Sequence, residues 1–187
     1  MDQFVQCLAR NVPQWLTRIE SQNGEIIVTV KPEFVVPMLI FLRDHSATQF
    51  KQLIELCGVD YPTREKRFEV VYELMSITWN SRARVKVCVD EYEGVSSVTD
   101  VYQSALWSER ETWDLYGIYF HDHPDLRRIL TDYGFTGHPL RKDFPLSGYT
   151  EVRYDDTEKR VIYEPVELTQ EYRSFDFANP WDPIPQK

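Results

Sequence analysis

Residues 108–149 read SERETWDLYGIYFHDHPDLRRILTDYGFTGHPLRKDFPLSGY, and the reading of the whole chain is built outward from them. The spacing Ser108-x-x-Glu111 predicts a capping box, in which the serine hydroxyl accepts the Glu111 N–H and the carboxylate reaches back. Arg110 and Asp114, four apart, are expected to pair on the exposed side of the helix. Thr112, Trp113 and Tyr116 fall on the opposite side, and Gly117 supplies the left-handed residue that stops the helix. Beyond it Pro124, Gly134, Gly137, Pro139, Pro145 and Gly148 interrupt the chain too often for a long helix or an inner strand.

Upstream, residues 3–20 carry Phe4, Val5, Leu8, Val12, Trp15, Leu16 and Ile19 at helical steps, which predicts one amphipathic helix despite Pro13. Asn23-Gly24 turns the chain into the β-branched strand EIIVTVK. Pro32 opens a helix over 33–45 with Phe34, Met38, Phe41 and Leu42 inward, Pro37 being tolerable near the first turn. QFKQLIELCGVDYP (49–62) suits helix or strand, with strand preferred. RFEVVYELMSI (67–77) and RARVKVCVD (82–90) read as an antiparallel hairpin turning at Trp79-Asn80-Ser81. Ala83, Val85, Val87 and Val89 alternate with Arg82, Arg84 and Lys86, as a sheet with one wet face requires. A further helical segment is expected near 98–106. The order gives an α+β fold with helices packed on one face of a mostly antiparallel sheet.

The 187 residues allow one domain with an appended arm. A hydrophobic share of 42% supports a sizeable core. The net charge of −9, from 30 acids against 21 bases, argues against a nucleic-acid partner. Cys7, Cys57 and Cys88 are scattered without C-x-x-C, so no iron–sulfur or Cys-rich zinc site can be drawn from them. The longest apolar run, Phe34–Leu42, has nine residues where about twenty are needed to span a bilayer. The start, MDQFVQCLARNVPQWL, lacks a signal-peptide core and an acid-free transit pattern, so no targeting presequence is expected in it.

Residues 131–187 hold six prolines and ten aromatics, too many aromatics for a disordered tail. The expected division is an α+β domain over 1–130 and an extended aromatic- and Pro-rich arm over 131–187 that packs on a partner. Candidate chemistry is thin. His121-x-His123 with Asp122 and Asp125 lacks a second cluster and reads as a loop hydrogen-bonder rather than a metal site. Glu109 and Glu111, two apart, point in different directions and do not make an acid/base pair. Arg127-Arg128 and Arg141-Lys142 punctuate an acidic chain and read either as solvated loop or as clamps on a partner's carboxylates. Gly134-x-x-Gly137 is no phosphate loop, and Ser147 and Ser174 lack a nucleophile elbow. From residues alone the chain offers an interface and no active site.

E-R-E-x-x-D-L-Y, then His123, Arg127 and Ile129-Leu130 at their spacings, resembles the signature of the NuoC-type subunit of respiratory complex I, the proton-pumping NADH:ubiquinone oxidoreductase. The resemblance runs from about Val30 to Trp181 through FLRDH (41–45), VDYPTR (59–64), RFEVVYEL (67–74), NSRARVKV (80–87) and EPVELTQEYRSFDFANPW (164–181). It implies a non-catalytic subunit of the peripheral arm that helps electrons pass from NADH to ubiquinone by holding the NuoD-like quinone-site large subunit. NADH, FMN, iron–sulfur clusters and ubiquinone belong to that complex, and none is expected on this chain. It assigns Glu109, Arg110, Glu111, Asp114, His123, Arg127 and Ile129 to fold and interface. Arg128, Arg141, Lys142, Tyr172, Phe175 and Trp181 join them as expected interface residues. TDYGFTGHPLRKDFPLSGY is similar to mitochondrial and alphaproteobacterial members, which implies the matrix side of the mitochondrial inner membrane, or else the cytoplasmic face of a bacterial one. Two other classes stay open: the related subunit of an energy-converting hydrogenase or ferredoxin-accepting plastid complex, and a free-standing enzyme built on His121 and His123.

Overall fold

A computed structural model describes residues 2–175, 177, 179 and 181, the side chains of residues 2–5 and 7 excepted. It divides into two compact units, Met1–Leu146 and Ser147–Lys187. The first therefore runs past the boundary expected at 130, because residues 131–144 are hydrogen-bonded into it.

The first unit is α+β, as expected. α1 (Asp2–Asn11) is followed by β1 (Leu16–Gln22), β2 (Glu25–Val30), a 3₁₀ turn at Pro32–Phe34, α2 (Val35–Asp44), β3 (Gln52–Asp60), β4 (Phe68–Ser76) and β5 (Ser81–Val89). The five-stranded sheet has the order β1-β2-β5-β4-β3, antiparallel except where β2 runs parallel to β5. The single helix expected over 3–20 is corrected. α1 stops at Asn11 because Pro13 carries no N–H to continue it, and Leu16 and Ile19 lie in a strand. Asn23 and Gly24, both at positive φ, turn β1 into β2, the pattern of a type I′ hairpin. Phe4, Val5 and Cys7 fall outside the described side chains.

One face of the sheet is the core. Ile26, Val28 and Val30 of β2, Ala83, Val85, Val87 and Val89 of β5, and Phe68, Val70, Tyr72 and Leu74 of β4 are buried with Met38, Leu39 and Leu42 of α2. A bulge between Leu53 and Glu55 lets Leu53 and Leu56 of β3 face the same side. The opposite face carries a charge ladder in which Arg84 pairs with Glu73 and Lys86 with Glu69. This is the wet face that the Arg82/Arg84/Lys86 alternation requires.

Past β5 the chain forms β6 (Val95–Ser96), α3 (Ala105–Tyr116) and β7 (Phe120–His121), with β6 parallel to β7. The helix expected over 98–106 is instead turns as far as Ser104, held by Val98 O accepting the Val101 and Tyr102 N–H groups. Among the described residues no helix is long and apolar enough to cross a membrane.

The second unit contains a β-hairpin, β8 (Thr150–Asp155) with β9 (Arg160–Pro165), where an extended arm was expected. Lys159, at positive φ, lies in its turn, and the Val166 N–H bonds to Tyr149 O just past its open end. After Pro165 the described residues form no helix or strand.

Candidate functional site

α3 is the organiser, and it works by burying charge. Glu109, Arg110, Thr112 and Asp114 are all buried. The expected capping box is absent: the helix begins at Ala105, so Ser108 lies inside it, and its carbonyl accepts the Thr112 hydroxyl at 2.8 Å. Glu111 is exposed. The expected Arg110–Asp114 surface pair is also corrected, since each side chain bonds backbone far along the chain.

Asp114 cradles the segment after His123. Its Oδ2 accepts the N–H groups of Ile129, Leu130 and Thr131 at 3.1, 2.7 and 2.9 Å. Its Oδ1 accepts the Thr131 hydroxyl at 2.6 Å and Arg128 Nη1 at 3.0 Å. Burial pushes this carboxyl up, but the Thr131 hydroxyl and the three backbone donors outweigh it and hold it down at about 2. Arg110 donates to the carbonyls of Arg127 and Arg128, both at 3.2 Å. Two opposite charges on one helix thus take the donors and acceptors of the same irregular turn, which could otherwise not be buried.

The helix C-terminus is completed in the same way. Gly117 ends it in the left-handed conformation, with φ at 79°, the stop read from the sequence. The last carbonyls, which have no intrahelical partner, are met by HPLRKDF. His138 Nδ1 donates to Asp114 O at 2.9 Å, the Leu140 N–H to Leu115 O at 3.0 Å, and Arg141 Nε to Tyr116 O at 2.7 Å. Burial lowers the pKa of His138, its bond to Asp114 O partly opposing. Arg141 also pairs with Glu91. Its guanidinium and that of Arg67 lie 5.1 and 5.2 Å from the Phe68 ring centre, within cation–π range. Lys142 contributes its backbone N–H, which joins the Arg67 fork on buried Asp60. Arg67 holds Asp60 well below the usual carboxylate range, burial opposing and the Lys142 N–H assisting.

At the other end of the helix, Glu109 Oε1 accepts the Val98 N–H at 2.7 Å, and Oε2 lies 2.6 Å from Ser97 Oγ. Burial drives this carboxyl up to about 7 against both hydrogen bonds. His123, with a buried side chain, has Nε2 at 3.9 Å from Oε2 and 3.2 Å from Leu106 O. Its Nδ1 accepts the Asp125 N–H, which places the ring proton on Nε2. His123 is thus a loop hydrogen-bonder, as read from its surroundings. The buried Tyr72 hydroxyl finds no hydrogen-bond partner among the described residues, and burial, with the Glu109 charge added, raises its pKa well above the usual value.

The structure therefore gathers Glu109, Arg110, Asp114, His123, Arg128, Ile129, Arg141 and Lys142 around α3. Arg127 stays exposed, paired with Asp125, and Tyr172, Phe175 and Trp181 are exposed in the second unit. Asp60, Arg67, Ser97, Tyr72 and Thr131 were not singled out by sequence. An Asp and an Arg seven apart across a hairpin turn were the only local signal for any of them.

Among the described residues the titratable groups around α3 face backbone, hydroxyl and opposite-charge side-chain partners of this same chain. This is a structural module that fixes irregular loops on a sheet. The model of the family "Respiratory-chain NADH dehydrogenase, 30 Kd subunit" matches residues 28–150, and the chain belongs to that family. It is 58% identical over 181 residues to "NADH-ubiquinone oxidoreductase subunit 9" of Prototheca wickerhamii, covering 97% of this chain and 94% of the relative. It is 58% identical over 176 residues to a NADH-quinone oxidoreductase subunit of Paramagnetospirillum magneticum, covering 94% and 88%. Its fold matches a chain in the structure of the membrane-bound sulfane sulfur reductase, an archaeal respiratory membrane complex. That match has a TM-score of 0.66 at 23% identity and covers 78% of this chain and 85% of the other.

A Beta vulgaris relative, 57% identical over 170 residues (90% of this chain and 88% of the relative), is named "iron-sulfur protein 3". The donors among the described residues do not fit a cluster. Cys57 is opposite Val71 and Cys88 opposite Glu69 in the sheet, so the two thiols lie in different registers. Burial raises both thiol pKa values, contrary to the thiolate a metal requires. Among the described residues no three His, Cys, Asp or Glu are grouped to hold a metal.

Proposed function

We propose that this chain is a non-catalytic core subunit of the peripheral arm of proton-pumping NADH:ubiquinone oxidoreductase, on the matrix side of the mitochondrial inner membrane. In this reading its C-terminal unit holds the quinone-site large subunit. NADH, FMN, iron–sulfur clusters and ubiquinone are then handled by neighbouring subunits. The observation that carries the reading is the hairpin in the second unit. Its register puts Val152 opposite Tyr163 and Tyr154 opposite Val161, so four apolar side chains share one face, and all four are exposed. Glu151, Arg153 and Glu164 share the other face, with Arg153 paired to Glu164.

A lone two-stranded hairpin is marginal in water. Full burial of an exposed valine is worth up to about 1.5–3 kcal/mol, so covering Val152 and Val161 favours a partner on this face. Tyr172, Phe175 and Trp181 are further exposed aromatic side chains of the same unit. The test is the double variant Tyr154→Lys/Tyr163→Lys, expressed in place of the natural chain and followed on a mild-detergent native gel. The variant should fold with an unchanged thermal transition but leave the complex. Full incorporation would refute the reading. Co-migration with an NADH-binding flavoprotein separates it from the ferredoxin-accepting and hydrogenase alternatives.

A further inference from the structure

On the wet face of β5 three cations follow one another at alternate positions, and they are not treated alike. The β4–β5 register puts Arg84 opposite Glu73, and Lys86 pairs with Glu69. Arg82 falls opposite Met75 instead. Its guanidinium is exposed and makes no ion pair, hydrogen bond or ring contact among the described residues. In a chain of net charge −9, an arginine left without a carboxylate at the end of a matched ladder is an unmet half of a pair.

Arg82 stands at the rim of a cleft of about 310 Å³. Ile26 from the start of β2, with Ala47 and Phe50 from the loop after α2, lines it, and Trp79 from the β4–β5 turn forms a wall. The Thr48 hydroxyl in the same lining already bonds to Leu42 O at 2.7 Å, so it is not a free polar anchor. Beside the cleft, Ile77 is 74% and Trp79 57% exposed, two large apolar side chains at the tip of a tight turn. A tight turn needs no hydrophobe at its tip, so neither side chain is explained by the turn itself.

We propose that this cleft docks a segment of a neighbouring subunit, in which an apolar side chain enters between Phe50 and Trp79 and an adjacent Asp or Glu pairs with Arg82. A forked guanidinium at the rim of an apolar cleft suits a carboxylate next to a hydrophobe. The cleft is open to solvent, which suits an entering side chain of a partner segment. This inference rests on the chain being a subunit of a larger complex, though not on the hairpin contact.

The test places the photo-crosslinker p-benzoylphenylalanine at Trp79 in the assembled complex, with a control at Tyr92, which is 93% exposed. Mass spectrometry should find Trp79 joined to another subunit at a segment with an apolar residue beside Asp or Glu. Arg82→Glu should lower that yield about tenfold, roughly the loss of one interfacial ion pair, while Arg82→Lys keeps most of it and the thermal transition of each variant stays unchanged. A yield no higher than at Tyr92, or crosslinks only to lipid, to a second copy or to this chain itself, would overturn the proposal. So would a full yield with Arg82→Glu. Failure of the chain to migrate with any complex would overturn the subunit reading as well, whereas normal co-migration without the crosslink overturns the cleft alone.

Discussion

Replacing Glu109 by Gln should change how stability depends on pH. In the fold this carboxyl titrates at about 7, against 4.5 in the open chain, because burial penalises its charge. Between those values the folded state holds a proton that the unfolded chain has released. Stability therefore falls as pH rises from about 4.5 to 7 and is flat beyond. At about 1.36 kcal/mol per pKa unit the loss amounts to about 3 kcal/mol. The site explains why Gln is a fair mimic of the protonated form. A neutral carboxyl keeps its carbonyl oxygen on the Val98 N–H and turns its O–H to Ser97 Oγ. Ser97 is then free to donate to Thr99 Oγ1, 3.0 Å away. The amide of Gln can donate in the same direction. His138 opposes the trend: its lowered pKa makes stability rise as pH rises toward 6.5. The comparison is thus the difference between wild type and Glu109→Gln in urea denaturation of the full chain, followed from acid to mildly alkaline pH. The two should differ by less than about 1 kcal/mol near pH 5, and the variant should be more stable by about 3 kcal/mol near pH 8. Parallel curves across that range would show that Glu109 does not titrate there and would refute the argument from burial.

Asp114→Asn should destabilise the chain by about 3–5 kcal/mol, as expected for removing one member of a buried charged network. It should also flatten the acid limb. The folded pKa is about 2 against 3.8 in the open chain. The wild-type carboxylate therefore contributes about 2 kcal/mol, fully present above the unfolded value and lost as pH falls through the folded one. Acid titration followed by far-UV circular dichroism checks both. Arg128→Glu should lower the thermal transition of the isolated chain, since Arg128 bonds to Asp114, Thr131 and the Gly137 carbonyl. Arg127→Glu, by contrast, loses only an exposed pair with Asp125. It should leave stability within about 0.5 kcal/mol of wild type. Equal effects of the two would contradict the assignment of Arg128 to the fold.

The sheet was legible because alternation over β4 and β5 is a local signal that burial on one face imposes directly. The Asn23-Gly24 turn and the Gly117 stop were also legible locally, since the first demands positive φ at two residues and the second at one. β1 was hidden because Trp15, Leu16 and Ile19 continue a helical spacing that only Pro13 interrupts. α3 was found but read inside out. Its spacing matched a capping box and an i,i+4 ion pair, both surface devices. The actual partners of Arg110 and Asp114 are backbone groups at 127–131, and no local pattern states that a loop will fold back there. Hydrophobic periodicity cannot identify a helix whose inward face is Glu109, Arg110, Thr112 and Asp114. In the second unit, the Val152/Tyr154 and Val161/Tyr163 alternation was present in the sequence. Each run is only three residues long, too short for alternation to mark a strand by itself.

Recognition is to be sought away from the loop arginines. Arg128 and Arg141 were candidates for clamping a partner's carboxylates, but their guanidinium groups already bond to Asp114 and Glu91 and to carbonyls of their own chain. Drawing either one toward a partner would strip a buried carboxylate or a helix end of its donor, at a cost exceeding the gain of an exposed pair. The surfaces left open to a neighbour are the exposed apolar face of the hairpin, and Arg82 with its cleft. Binding should accordingly be led by apolar burial with one charge for orientation, and complex formation by this chain should depend only weakly on salt.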